Sequence, residues 1–218
     1  SFIDVSEGDL LRIYELATGA TLQKLDLSAL RLHFAGDAGV SRALYVCFTR
    51  FLRGASARPA TQWGQDRSVN LAGVSAAPVG LAEDEGLLPY PSTVFPGYRL
   101  LQEYLAYPQK FLFTDLSGLG GVMQLGETRR FDVAFQFARF PQDMPPVSAG
   151  DILLHCTPAV NLFPHEADPI RLDHQRSEYL VRPSGGARDQ FEVYSLDRVR
   201  GISQSTGKRS VFRSLFAS

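Results

Sequence analysis

The sequence predicts an α+β protein, antiparallel and rich in strands, with two moderate helices. Three observations point to it. Leu30-Arg31-Leu32-His33-Phe34 and the run Phe131, Val133, Phe135, Phe137 against Asp132, Ala134, Gln136 both alternate with the period of a half-buried strand. Val40, Leu44, Cys47, Phe48, Phe51 and Leu52 instead fall at helical spacing, opposite Arg42, Arg50 and Arg53. Strands and helices are segregated along the chain, not alternated as in a parallel α/β sheet.

In chain order, Leu11–Leu16 and Thr21–Leu27 read as weaker strands joined by a hairpin turn at Thr18-Gly19. Leu30–Phe34 follows, then the first helix, with Gly54 placed to end it. Ala55 to Gly86 is rich in Ala, Gly, Ser and Pro and reads as loop, with one short strand at Val69-Asn70-Leu71. Pro96 suits the first turn of a second helix, whose buried face would hold Tyr98, Leu101 and Leu105. Pro108 falls near its end. Phe111-Leu112-Phe113 reads as a buried strand, and Gly118-Leu119-Gly120-Gly121 as a loop. Beyond Phe131–Phe137, strands are expected at Ile152–Cys156, Glu178–Val181 and Phe191–Ser195, with a long polar stretch from Pro158 to Gln175. The chain divides on this reading into a mixed α/β portion, residues 1–125, and a β-rich portion, residues 126–218, with their continuity left open.

Composition narrows the function. The 22 basic and 23 acidic residues give a net charge of −1, without the cationic footprint needed to offset closely spaced phosphates, so nucleic acid is not an expected partner. No apolar run reaches the roughly 18 residues of a membrane span. Ser1-Phe2-Ile3-Asp4 has neither the basic start nor the apolar stretch of a signal peptide. Cys47 and Cys156 make no disulfide framework and fit a reducing compartment. Cys47, on the apolar stripe of the first helix, is expected to be a packed and reduced thiol.

Three groups of residues have the types that known chemistries require. Cys156, His165 and His174 are zinc-ligand types, with His155, Asp168 and Asp173 nearby, but a C-x8-H-x8-H spacing lacks the compact ligand pairs that hold zinc. A cysteine nucleophile needs a thiolate-favouring setting, whereas Cys156 sits at an apolar strand end and adjacent His155 would point to the opposite face. The glycines at 118, 120 and 121 lack the strand–turn–helix context of a nucleotide loop, and Gly207-Lys208-Arg209-Ser210 lacks the preceding glycine of a P-loop. Both read as turns. The Glu83-Asp84-Glu85 run reads as a solvated cluster. No cofactor is implied. The alternative functional class, a cysteine- or zinc-dependent hydrolase, would rest on Cys156, His165 and His174.

Three ordered stretches carry a resemblance. The first is Leu25-Asp26-Leu27-Ser28-Ala29-Leu30-Arg31-Leu32-His33 with Gly36-Asp37 and Ala43-Leu44-Tyr45. The second is Asp84-Glu85, Leu87-Leu88-Pro89-Tyr90-Pro91, Gly97-Tyr98-Arg99-Leu100-Leu101-Gln102-Glu103-Tyr104 and Phe111-Leu112-Phe113. The third is Cys156-Thr157-Pro158-Ala159-Val160-Asn161-Leu162-Phe163, Asp168-Pro169-Ile170 and Tyr194-Ser195-Leu196-Asp197-Arg198-Val199. Together, from about residue 25 to 201, they resemble the central part of the TssF (ImpG, VasA) family of type VI secretion baseplate proteins, whose members are longer, with both ends missing here. The resemblance implies a structural wedge subunit without catalytic residues, present in several copies. It implies assembly with TssG, TssE and TssK, kinship with the wedge proteins of contractile phage tails, and a cytoplasmic place, docked at the inner membrane through the membrane complex. Asn161, Leu162 and Phe163 are the expected partner-binding residues: Asn161 would bond its own backbone in a turn, Phe163 would sit in the core and Leu162 would stay partly exposed.

Overall fold

The computed structural model describes residues 3–6, 9–15, 22, 26–60, 68–90, 95–128, 130–141, 144–185 and 190–212. They form two compact units, residues 1–89 with 95–158, and residues 90–94 with 159–218.

The larger unit is built on two antiparallel sheets. The first takes β1 (Ile3–Ser6), β2 (Asp9–Glu15), β4 (Leu52–Pro59), β5 (Val69–Leu71) and β8 (Arg130–Phe137) in the order β1-β2-β8-β4-β5. The second takes β3 (Ala29–Phe34), β6 (Ser75–Pro78), β7 (Phe113–Ser117) and β9 (Ile152–Leu153) in the order β6-β7-β3-β9. The alternation read at β3 and β8 has its physical basis here. Leu32 and Phe34 are buried from one strand, and Phe131, Val133 and Phe135 from the other. Asp132 was expected on the wet face but is buried, where its cross-strand partner Arg58 bonds it at 3.1 Å. Arg31 and Asp115 face each other across β3 and β7 through two bonds of 2.7 Å.

The first helix, α1 (Ala38–Val46), starts on a cap the sequence reading missed: the Asp37 carboxylate accepts from the Gly39 and Val40 N–H groups at 2.7 and 2.9 Å. Gly36 before it has φ +84°, and a Cβ there would collide with the Asp151 carboxylate. The helix ends earlier than expected. At Cys47–Phe51 it widens into a π-turn and then runs directly into β4, so Leu52 and Gly54 belong to a strand. The Thr49 hydroxyl donates to the Tyr45 carbonyl at 2.6 Å within that turn. The wider turn keeps Cys47 and Phe48 facing inward, and the Phe48 ring lies 5.1–5.2 Å from the rings of Phe34, Phe135 and Phe137. Cys47 is fully buried and free, as its stripe position requires.

Several expectations are corrected. The Ala55–Gly86 stretch holds β4, β5, β6 and a turn, because Ala55 and Ala57 are the small residues that let β4 pack closely in the core. Phe111 closes a 3-10 turn, and the strand begins at Phe113. Gly118 (φ +82°) leads into a 3-10 segment, Leu119–Leu125, that plugs the core with Leu119, Val122 and Leu125. Thr18-Gly19 and most of Thr21–Leu27 lie outside the described residues.

In the smaller unit, Glu178–Val181 and Phe191–Ser195 are not strands, and the expected strand at 152–156 is only the two residues of β9 in the larger unit. The hairpin of β10 (Val199–Ile202) and β11 (Arg209–Phe212) closes through Gly207 (φ +65°), whose N–H donates to the Ser203 carbonyl at 2.8 Å. A short ribbon joins Glu166–Asp168 to Arg182–Ser184 through bonds of 2.8 and 2.9 Å. None of the described residues of this unit is buried.

Candidate partner interface

The second helix, α2 (Pro96–Ala106), is an apolar surface built by a polar core. It contains two charged residues, Arg99 and Glu103, and both are buried. Arg99 donates to the carbonyls of Glu83 (2.5 Å) and Ala82 (2.8 Å). Gly86 makes room for its guanidinium, since a Cβ there would strike Nη1. One Glu103 oxygen accepts from the Leu87 and Leu88 N–H groups at 2.8 and 3.0 Å, and the other pairs with Lys110. Glu103 is 2% and Lys110 1% exposed. Burial pushes the Glu103 carboxyl up, but Lys110 and the Leu88 and Leu87 N–H groups outweigh it and hold it below its ordinary 4.5. Glu85, in the expected solvated cluster, folds its carboxylate back onto the Gly80 and Ala82 N–H groups at 2.7 and 3.0 Å. The loop from Gly80 to Leu88 is thereby stitched to one face of α2.

The opposite face is turned outward. Tyr98, Leu101 and Leu105, expected inside, are exposed, Leu105 by 74%. Hydrophobic periodicity gives a helix two faces; here the polar one is bonded inside through both terminal nitrogens of Arg99 and both oxygens of Glu103, with Arg99 Nε left without a partner, and the apolar one is left out. Phe95 (70% exposed) lies edge-on to Tyr98 at 6.0 Å, and a Cβ at Gly97 would collide with its ring. Tyr104 leans on Phe111 at 5.8 Å, and Tyr107 is also exposed.

In the smaller unit, Leu162 and Phe163 are both exposed, Phe163 by 51%, so the core placement of Phe163 is corrected. Its ring meets His165 and Phe191 edge-on at 5.9 and 6.0 Å, while His165 stacks on Phe191 at 5.0 Å. His165 Nε2 is 2.8 Å from the Ser184 carbonyl. Among the described residues, Asn161 makes no side-chain hydrogen bond, so the Phe163 ring rests on this aromatic stack and not on a turn bonded by Asn161.

The hydrolase alternative finds no support. Among the described residues, no three His, Cys, Asp or Glu side chains converge on a metal position. Cys156 belongs to the larger unit, where its Sγ lies 3.5 Å from the Leu154 carbonyl, and His165 and His174 belong to the smaller. Among the described residues, no helix is long and apolar enough to cross a membrane.

Known proteins similar to this chain belong to one secretion system. The family model described as type VI secretion system, TssF, matches residues 5–218. A Pseudomonas aeruginosa protein, type VI secretion system component TssF1, is 34% identical over 139 residues, which is 63% of this chain and 22% of that protein. A chain of the type VI secretion system TssK-TssF-TssG baseplate subcomplex, solved by cryo-electron microscopy, is 31% identical with a TM-score of 0.71, over 94% of this chain and 39% of that one. The chain therefore spans well under half the length of these relatives.

Proposed function

The chain belongs to the TssF family of type VI secretion proteins, and from that premise we propose that it is a structural part of a secretion baseplate subunit with no catalytic role. The observation that carries this is the fold match over nearly the whole chain to a chain of a baseplate subcomplex, at an identity of 31%. TssG and TssK, named with TssF in that subcomplex, are its partners, with TssE as a further one and several copies in each wedge. The subunit works on the cytoplasmic side, docked through the membrane complex.

Asn161, Leu162 and Phe163 form a partner contact on this reading. A half-exposed phenylalanine propped on an ordered stack is a preorganised anchor, of the kind that dominates interface energetics when it enters a pocket. The test is pull-down of purified TssG by the full-length subunit. Phe163→Ala should weaken binding about 30-fold, equivalent to roughly 2 kcal/mol, while shifting the melting midpoint by only about 2 °C. Unchanged binding by the Phe163→Ala and Leu162→Ala variants would remove this contact. Failure of the unmodified subunit to bind TssG or TssK would remove the wider reading.

A further inference from the structure

We propose that the outward face of α2, formed by Phe95, Tyr98, Leu101, Tyr104, Leu105 and Tyr107, is a second docking surface, and that its occupant is an apolar, uncharged patch on another protein subunit of the same assembly. The proposal rests on the reading above for the identity of the assembly, but its geometry is independent of the 161–163 segment.

Charge is the first reason. The helix turns both of its charged residues inward, so the face presents only Phe, Tyr, Leu, Gln102, Ala106 and the Pro96 ring. A charged partner surface would lose water over this face and gain no counter-charge. An uncharged apolar patch loses nothing of the kind. The same fact argues against a lipid surface, because an interfacial membrane helix sets its apolar face against a cationic polar face that stays in water. Here the polar face is bonded to the loop from Gly80 to Leu88 and unavailable.

Area is the second. With aromatic side chains of roughly 150–250 Å² each, the exposed parts of these six residues amount to about 600 Å². That is at the upper end of the largest patch on a typical monomer, and most of the roughly 800 Å² each partner brings to a stable interface.

Composition is the third, and it separates a partner subunit from some further part of the same polypeptide. Three of the six residues are tyrosines, each with a hydroxyl that is content in water before assembly. Tyrosine and phenylalanine are enriched where a surface must be wet when free and dry when bound, and they lose little rotamer freedom on contact. The ion pair and the hydrogen bonds beneath already fix the helix to the loop from Gly80 to Leu88, so binding does not have to fold it.

The experiment uses the full-length subunit with purified TssG and TssK, comparing Leu105→Asp and Tyr98→Asp with the unmodified protein. The expected result is a melting midpoint within about 2 °C and a loss of binding to one of the two partners of about 30-fold or more. Partner binding equal to the unmodified protein overturns the proposal, and so does poor folding of both variants, which would mean that the subunit's own chain covers the face. A Tyr98→Ser variant guards against an artefact of introduced charge and should lose binding in the same direction. If the unmodified subunit self-associates through this face, or binds neutral vesicles of phosphatidylcholine, and the variants do not, the occupant named here is wrong. Because the unmodified subunit must bind TssG or TssK for the comparison to be made, failure of the assembly reading appears separately.

Discussion

Lys110 is the residue whose removal tests the interior beneath α2 most directly. Its ammonium is buried against Glu103 and also lies 5.0 Å from the Phe111 ring centroid. Lys110→Met keeps the stem and deletes the charge, leaving a carboxylate with the two N–H bonds from Leu87 and Leu88 but no cation. Breaking a buried pair by removing one member costs about 3–5 kcal/mol. For a protein of this size, at about 2–4 °C per kcal/mol, the midpoint should fall by roughly 6–20 °C. The pH dependence carries a second signature. In the parent, the lowered pKa of Glu103 means that its stabilisation is complete above the ordinary 4.5 and is lost as pH falls through the lower folded value. In the variant, burial is no longer outweighed by a cation, so the carboxyl rises and the deficit should shrink as pH is taken from 7 to 5. Thermal melts by near-ultraviolet circular dichroism at both pH values read both effects. A Lys110→Met protein that melts within 1 °C of its parent at pH 7, or whose deficit grows on acidification, would refute the account.

Two further outcomes are expected. Burial pushes the Cys47 thiol up to about 11, so it should resist alkylation in the folded protein and react after denaturation, and Cys47→Ala should cost on the order of 1 kcal/mol by denaturant titration. His33 stacks on Phe113 at 4.3 Å with its Nε2 buried and unbonded, and burial lowers its pKa below 6.5. The folded state therefore resists protonation there, stability falls as pH drops through 6.5, and His33→Phe should flatten the melting-temperature profile between pH 7.5 and 5.5.

What was legible in the sequence was local. The alternation at β3 and β8, the proline that opens α2 and the inward place of Cys47 each depend on neighbours a few residues away. What was missed depends on distant partners. The polarity of α2 is set by Ala82, Glu83, Leu87 and Leu88, about sixteen residues upstream, which accept or donate what Arg99 and Glu103 require. Nothing in the stripe Tyr98, Leu101, Leu105 says whether it points in or out. β4 was hidden because Gly54, Ala55, Ser56 and Ala57 have weak strand preferences, and its place is set by pairing with β8 and β5. Phe163 looked like a core residue because a phenylalanine usually is one; its exposure goes with a unit in which none of the described residues is buried.

The passage from α1 through the π-turn into β4 has no connecting loop, and this makes it intolerant of changes in length. An extra residue within Cys47–Phe51 has only two places to go. It can swing Phe48 away from Phe34, Phe135 and Phe137, or it can slip β4 by one position against β8, which exchanges the inward Ala55 and Ala57 for Gly54 and Ser56. The bulge between Leu52 and Gly54 already absorbs one register step and leaves no slack beside it. Insertions and deletions are instead accommodated at the exposed turn from Ser203 to Lys208, where an added residue disturbs no buried side chain.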